Sequence, residues 1–443
     1  MLILKNGTLL TYNSKGDFIK KNCDIKIVDD KITDICEPNT IITENSDCID
    51  CTDKYITPGF IQTHIHLCQV LFRGSADDME LLDWLKKRIW PLESLHTKSS
   101  IDISSRLGLA EVIAGGTTTI VDMGTTRHTE IIAENIIKSG IRAFFGKTMM
   151  DEESIPEYIK EDTDTSLSEV EDLINKYHNS ASGRVKYAVS PRFAVSCTDT
   201  LMREAAKIAD KHGLLYHTHA SENKKEVEIV KNRSGYRNIE YFEKNEIASD
   251  RLILAHCIWV DDSERDIMKE YDIKVMHCPG ANLKLASGIS PIPDYLDRGI
   301  TVSLGGDGAP CNNNLSIFNE MRLAALIQKP IHGPLSMNAY TVFNMATVGG
   351  AKTVGLEDSI GTVEVGKKAD INIIDLDMFH STPYSDPVSA IVYAANPMNI
   401  DSVIIDGKKI YSRKTGILTF ETSDLKKTPR KKLNEMIEKI KDL

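Results

Sequence analysis

A chain of 443 residues with 41% apolar and 26% charged side chains has the balance of a globular protein, with room for one large domain or a large and a small one. Its net charge of −11 disfavours nucleic acid as a partner, and no run approaches the roughly 20 apolar residues that span a bilayer. The nine cysteines are scattered and odd in number, against a secreted disulfide framework, and the N-terminus lacks the pattern of a signal peptide, so a cytoplasmic location is the default.

The N-terminal stretch DIKIVDDKITDIC alternates like a half-buried sheet, with Ile25, Ile27, Ile32 and Ile35 interrupted by a turn at Asp29-Asp30. Cys48 and Cys51 have metal-ligand spacing, but no second pair or nearby histidine completes a site. From there strand-like and helix-like segments alternate, which predicts a parallel sheet. Apolar runs fall at 60–66, 118–123, 143–148, 185–190, 214–219, 252–256, 273–277 and 300–305, with helical patterns between them at 199–212, 224–244 and, after the last, 316–328. Eight strand–helix units over about 250–300 residues fit a (β/α)8 barrel. No Gly-rich dinucleotide loop follows the first run. IGTVEVGKKADINIIDLD and DSVIIDGKKIYS then resume short β segments, with turns at Gly366-Lys367 and Asp406-Gly407. The expected architecture is a barrel over 58–361, a composite β-sandwich-like domain from 1–57 and 362–420, and a helical tail over 421–443. In that tail the basic residues from Lys426 to Lys432 mix with Glu435 and Glu438, the pattern of a solvated helix face.

The polar residues at the ends of these runs carry the chemistry. His64 and His66 close the first run, His219 the fifth and His256 the sixth, and Asp307 follows the eighth. In a parallel barrel the C-terminal strand ends meet at one face, where active sites are built. His64 and His66, two apart on an extended segment, point to the same side. Imidazoles and a carboxylate converging there suit a borderline-soft divalent ion such as zinc.

The motifs PGFIQTHIHLCQ, HTHASE, LILAHC and GGDGAP resemble the amidohydrolase superfamily over nearly the whole chain. FRGSADDMELLDWLKKRIWPLE, NLKLASG and NNNLSIFNEMRLAALIQK are similar to its branch of S-adenosylhomocysteine, methylthioadenosine and 5′-deoxyadenosine deaminases, which also includes guanine deaminases and triazine hydrolases. The resemblance implies that His64, His66, His219 and Asp307 hold the metal, that Glu222 shuttles protons, and that His256 assists. It implies one divalent ion, zinc first, with Fe2+ or Mn2+ as alternatives. Binuclear members carry a carboxylated lysine at the end of the fourth strand; this chain has Arg192 near that position and Lys186 at the strand's other end, so a mononuclear site is expected.

The expected reaction is hydrolytic deamination of an amino-substituted purine, with an adenosine-type nucleoside favoured; guanine, or a triazine or pterin, is the alternative. Gln69, three residues after His66, offers an amide to a ring edge. Guanine deaminases have glutamine at this spacing and resemble PRFAVSCT around Arg192 and Phe193, whereas the nucleoside deaminases usually have histidine where Arg192 stands. Trp84 and Glu93 match positions lining the pocket in both groups, and in nucleoside deaminases the equivalent of Glu93 can accept from ribose hydroxyls. His217 and His277 also end barrel strands, and a supporting or packing role is expected of them. The expected partner is a small heterocycle, with no nucleic acid or membrane; a homo-oligomer is left open.

Overall fold

The computed structural model describes residues 1–41 and 47–440. Residues 42–46 and 441–443, which fall in the expected N-terminal segment and tail, lie outside the described residues.

Eight parallel strands form the barrel: Phe60–Ile65, Thr117–Met123, Arg142–Gly146, Val185–Pro191, Leu215–Ala220, Leu252–His256, Lys274–His277 and Val302–Leu304. Each pairs with its neighbour in chain order. All seven residues of Thr117–Met123 and all five of Leu252–His256 are buried. Helices cover one face of such a sheet and the barrel interior covers the other, so its strands are buried continuously rather than on alternate residues. The first and last strands meet through side chains: Thr63 Oγ1 lies 2.7 Å from Ser303 Oγ and donates to the Leu304 carbonyl at 3.1 Å. Just beyond, the Asp307 amide donates to the His64 carbonyl at 3.0 Å, drawing the eighth strand's exit onto the first strand.

The helices follow from local signals. In Asp199–His212 the Thr198 side chain accepts from Leu201 N–H, Gly213 closes the helix in the left-handed region, and Leu201, Met202, Ala205, Ala206 and Ala209 form the buried face. The stretch 224–244, expected as one helix, is two: Lys224–Ser234 and Asn238–Lys244. Gly235 at φ 84° ends the first by donating to the Lys231 carbonyl.

The second sheet draws on both ends of the chain. Leu2–Tyr12 pairs antiparallel with Phe18–Val28, which pairs with Lys31–Cys36 across the Asp29-Asp30 turn. Tyr55–Pro58 joins the N-terminal strands to Ile371–Ile374, and Ile400–Ile405, Lys408–Ser412 and Gly416–Ile417 continue the sheet. Residues 360–365, expected as a β segment, form no strand. The Val363 amide donates to the Thr11 side-chain Oγ1 rather than to a main-chain carbonyl, and Gly361 and Gly366 have left-handed φ. The C-terminal helix Thr428–Ile440 buries Met436 and packs against the barrel helices Trp90–Ser94 and Lys98–Ala114. Among the described residues no helix is long and apolar enough to cross a membrane.

Candidate active site

The strand ends bring His64, His66, His219 and Asp307 together: one ligand atom from each lies within 4.8 Å of all the others. His64 Nε2 and His66 Nε2 stand 3.4 and 3.3 Å from Asp307 Oδ1, and His256 Nε2 stands 3.8 Å from Asp307 Oδ2. The far nitrogen of each imidazole is engaged. His66 Nδ1 donates to the Met123 carbonyl at 2.8 Å and His219 Nδ1 to the Arg192 carbonyl at 2.6 Å. His64 Nδ1 lies 2.8 Å from His217 Nε2, and His256 Nδ1 donates to Asn282 Oδ1 at 2.8 Å. Ser221, His256 and Asp307 all have left-handed φ, at 52°, 73° and 55°. Such backbone is costly for residues other than glycine, and here it falls where side chains turn into the site.

The donor set fits a divalent ion. His64 Nε2 is fully buried with no hydrogen-bond partner, and the Nε2 atoms of His66 and His219 are turned inward by the bonds at Nδ1. Burial holds His64 down to about 4 and His219 well below the ordinary imidazole value, which keeps both neutral, the ligand form. Burial alone would raise Asp307, but the imidazoles of His64 and His66 beside it hold it well below the carboxylate range. Three imidazoles and one carboxylate match the nitrogen–oxygen donor set of zinc-type sites.

Glu222 follows the fifth strand at the left-handed Ser221. It is not the cap of the next helix: Asn223 takes that place, and Glu226 closes the capping box. The Glu222 carboxyl is therefore free to accept from Ser287 Oγ at 3.1 Å and to lie 3.5 Å from His256 Nε2. Burial pushes it up to about 7; His256 opposes that shift and Asp307 adds to it. Burial works against a charged His256, yet the carboxylates of Glu222 and Asp307 hold its imidazole above the ordinary value.

A cavity opens on this cluster. Gln69, Trp84, Arg192 and Phe193 line it, together with Leu81, Leu85 and Leu285. Glu93 does not line it but stands behind two residues that do, accepting from Gln69 Nε2 at 2.8 Å and from Arg192 Nη1 at 2.6 Å. Sequence reasoning gave no role to Asn282, Ser287 or Glu226. The first two lie in the NLKLASG segment, and the third was readable as the N-x-x-E spacing of a capping box. The Cys48/Cys51 pair gains no further ligand: Cys48 is exposed, Cys51 is buried, and the barrel-mouth cluster is the one candidate metal group among the described residues.

Fold and site define a (β/α)8 barrel with a three-histidine, one-aspartate metal-type centre at the C-terminal ends of its strands. The chain belongs to the amidohydrolase family, whose family model matches residues 55–410. It is 36% identical over 428 residues to a 5′-deoxyadenosine deaminase of Methanosphaera stadtmanae, covering 96% of each chain. It is 38% identical over 410 residues to a 5-methylthioadenosine/S-adenosylhomocysteine deaminase of Thermoanaerobacter pseudethanolicus, covering 92% of this chain and 93% of the relative. Among solved structures, an adenosine deaminase from Xanthomonas campestris with bound zinc superposes with a TM-score of 0.89 at 25% identity, covering 100% and 99% of the two chains. A guanine deaminase of E. coli superposes at 0.84 and 26%, covering 93% and 100%.

Proposed function

We propose that this chain is a divalent-metal-dependent hydrolytic deaminase of an adenosine-type nucleoside with a modified 5′ group, such as 5′-deoxyadenosine, methylthioadenosine or S-adenosylhomocysteine. The observation that carries the chemistry is the Glu222 carboxyl, buried, raised toward neutrality, and set between His256 and the His64–His66–His219–Asp307 cluster. Those four residues would hold one ion, zinc by donor type. When bound, it supplies the Lewis acidity that makes water a nucleophile at neutral pH. Glu222 takes a proton from the attacking water and delivers it to the ring nitrogen beside the amino-bearing carbon. Asp307 receives the second water proton and returns it to the departing amine, which leaves as ammonia. His256, held by Asn282, hydrogen-bonds the oxygen as it joins the ring. Leu81, Trp84, Leu85 and Leu285 give the cavity an apolar wall for a flat ring and exclude water from the reacting centre.

The nucleoside choice rests on the relatives at 36–38% identity over nearly the whole chain. A second reading, guanine, has its own support. Gln69 Nε2 is taken by Glu93, so Gln69 Oε1, buried and without a partner, is left as an acceptor beside the Arg192 guanidinium. An acceptor next to a cationic donor complements the N–H and C=O edge of a 6-oxopurine. A panel of ammonia-release assays separates the two readings: 5′-deoxyadenosine, methylthioadenosine, S-adenosylhomocysteine, adenosine and guanine, with an aminotriazine as control. Turnover of the 5′-modified nucleosides with guanine inert is expected; guanine turned over with every nucleoside inert would overturn the nucleoside choice.

A further inference from the structure

Three of the cluster's imidazoles are candidate metal ligands, and their far nitrogens are treated differently. His66 and His219 each donate to a main-chain carbonyl, an acceptor that cannot change its role. His64 Nδ1 instead meets a second imidazole, His217 Nε2, at 2.8 Å, with the rings nearly perpendicular at 87°. Both side chains are 0% exposed, and His217 Nδ1 has no partner at all. A neutral imidazole carries one proton, on either nitrogen, so the pair has two self-consistent arrangements. In one, His217 Nε2–H donates to His64 Nδ1, and the His64 proton sits on Nε2, 3.4 Å from Asp307 Oδ1. In the other, His64 Nδ1–H donates to His217 Nε2, the His217 proton sits on Nδ1, and His64 Nε2 presents a lone pair to the cluster. Both imidazoles are neutral in each arrangement. The net change is one proton lost from His64 Nε2 and one gained at His217 Nδ1, with no co-reactant.

We propose that His217 is a positioning residue that selects the ligating tautomer of His64, its unpartnered Nδ1 being the place that receives the proton the ion displaces. The proposal rests on the reading that the cluster holds a divalent ion. It explains why a fully buried imidazole stands inside the fifth strand two residues before His219 and keeps one nitrogen unbonded. A packing role would be met by an apolar side chain of similar size, and a fixed carbonyl would hold His64 in a single tautomer.

Zinc affinity of the full chain, measured by chelator competition, and imidazole 15N spectra of histidine-labelled protein test this. His217→Leu removes the acceptor and is expected to weaken zinc binding 10–100-fold, the usual cost of losing such a supporting partner. His217→Gln, whose amide oxygen reaches where Nε2 stood, is expected to recover most of that loss. Zinc-loaded wild type is expected to show His217 protonated at Nδ1 and His64 protonated at Nδ1. An Nε2-protonated His217 in that spectrum overturns the proposal without any variant, as does a folded His217→Leu that binds zinc within twofold of wild type. Wild-type protein that binds no divalent ion overturns the metal reading and this proposal together, a result distinct from the other two.

Discussion

The proposed reaction uses Glu222 for proton transfer, and burial of that carboxyl works against stability. In Glu222→Gln the charge that moves protons is gone while the four candidate ligands are untouched, so kcat should fall by roughly 10²–10⁴ with metal content unchanged. Retention of near wild-type turnover, measured by ammonia release beside elemental analysis, would remove Glu222 from the mechanism. Its pKa also sets a pH dependence. The ordinary value is 4.5 and burial raises it to about 7 in the folded chain. Below 4.5 the group is protonated folded or unfolded and costs nothing. Between 4.5 and 7 the unfolded chain ionises first, so stability falls as pH rises; above 7 the penalty is constant. Metal-free Glu222→Gln should therefore match metal-free wild type near pH 4.5 and exceed it by about 3–4 kcal/mol at pH 8, at about 1.4 kcal/mol per pKa unit. Urea unfolding at both pH values checks this, and equal stability at pH 8 would contradict it. At this scale His64, His66, His219, His256 and Asp307 were legible in the sequence because a polar residue closing a buried apolar run stands out. The Glu93–Arg192 ion pair was not, since it joins residues 99 apart that only the barrel brings together.

The loop that carries Glu222 depends on the start of the next helix. Glu226 is fully buried and accepts from the Ser221, Glu222 and Asn223 amides and from Asn238 Nδ2. Glu226→Ala leaves these donors without a partner, at about 1–3 kcal/mol for each that water cannot reach. The expected result is a stability loss of at least about 2 kcal/mol in urea together with a lower kcat, because the loop holding the Glu222 carboxyl slackens. A loss below about 0.5 kcal/mol would show that the loop is held by other contacts. Helix boundaries were readable where caps are local, as at Thr198 and Gly213. The break at Gly235 was missed because a glycine inside a polar amphipathic stretch signals an end only through its φ. The alternation of IGTVEV fits a strand, but alternation does not say where the amide protons go, and the Val363 amide goes to a threonine hydroxyl.

Across the whole molecule, the barrel and the sheet built from both chain ends are tied by charge as well as by apolar packing. Arg142, on the third barrel strand, donates to Asp370 from Nε at 2.8 Å and Nη2 at 3.1 Å, and also pairs with Asp406 at the turn after Ile400–Ile405. Arg142→Met leaves buried Asp370 without its cation, Asp406 keeping Arg184 at 3.5 Å, and should cost about 3–5 kcal/mol, read as a lower urea midpoint. A change within 0.5 kcal/mol would mean that packing alone holds the junction. The barrel and the two-ended sheet were legible as a change of period, alternating segments at both ends and continuous apolar runs between. Closure of the barrel was not, because it depends on Thr63, Ser303 and main-chain groups that leave no pattern in the sequence. Barrel mouth, divalent ion and deamination are joined in one titration: ammonia release from 5′-deoxyadenosine by metal-stripped protein as zinc is added. No turnover is expected in the stripped protein, followed by a rise that saturates at one equivalent per chain. Full turnover without metal, or no ammonia at any zinc level, would contradict this.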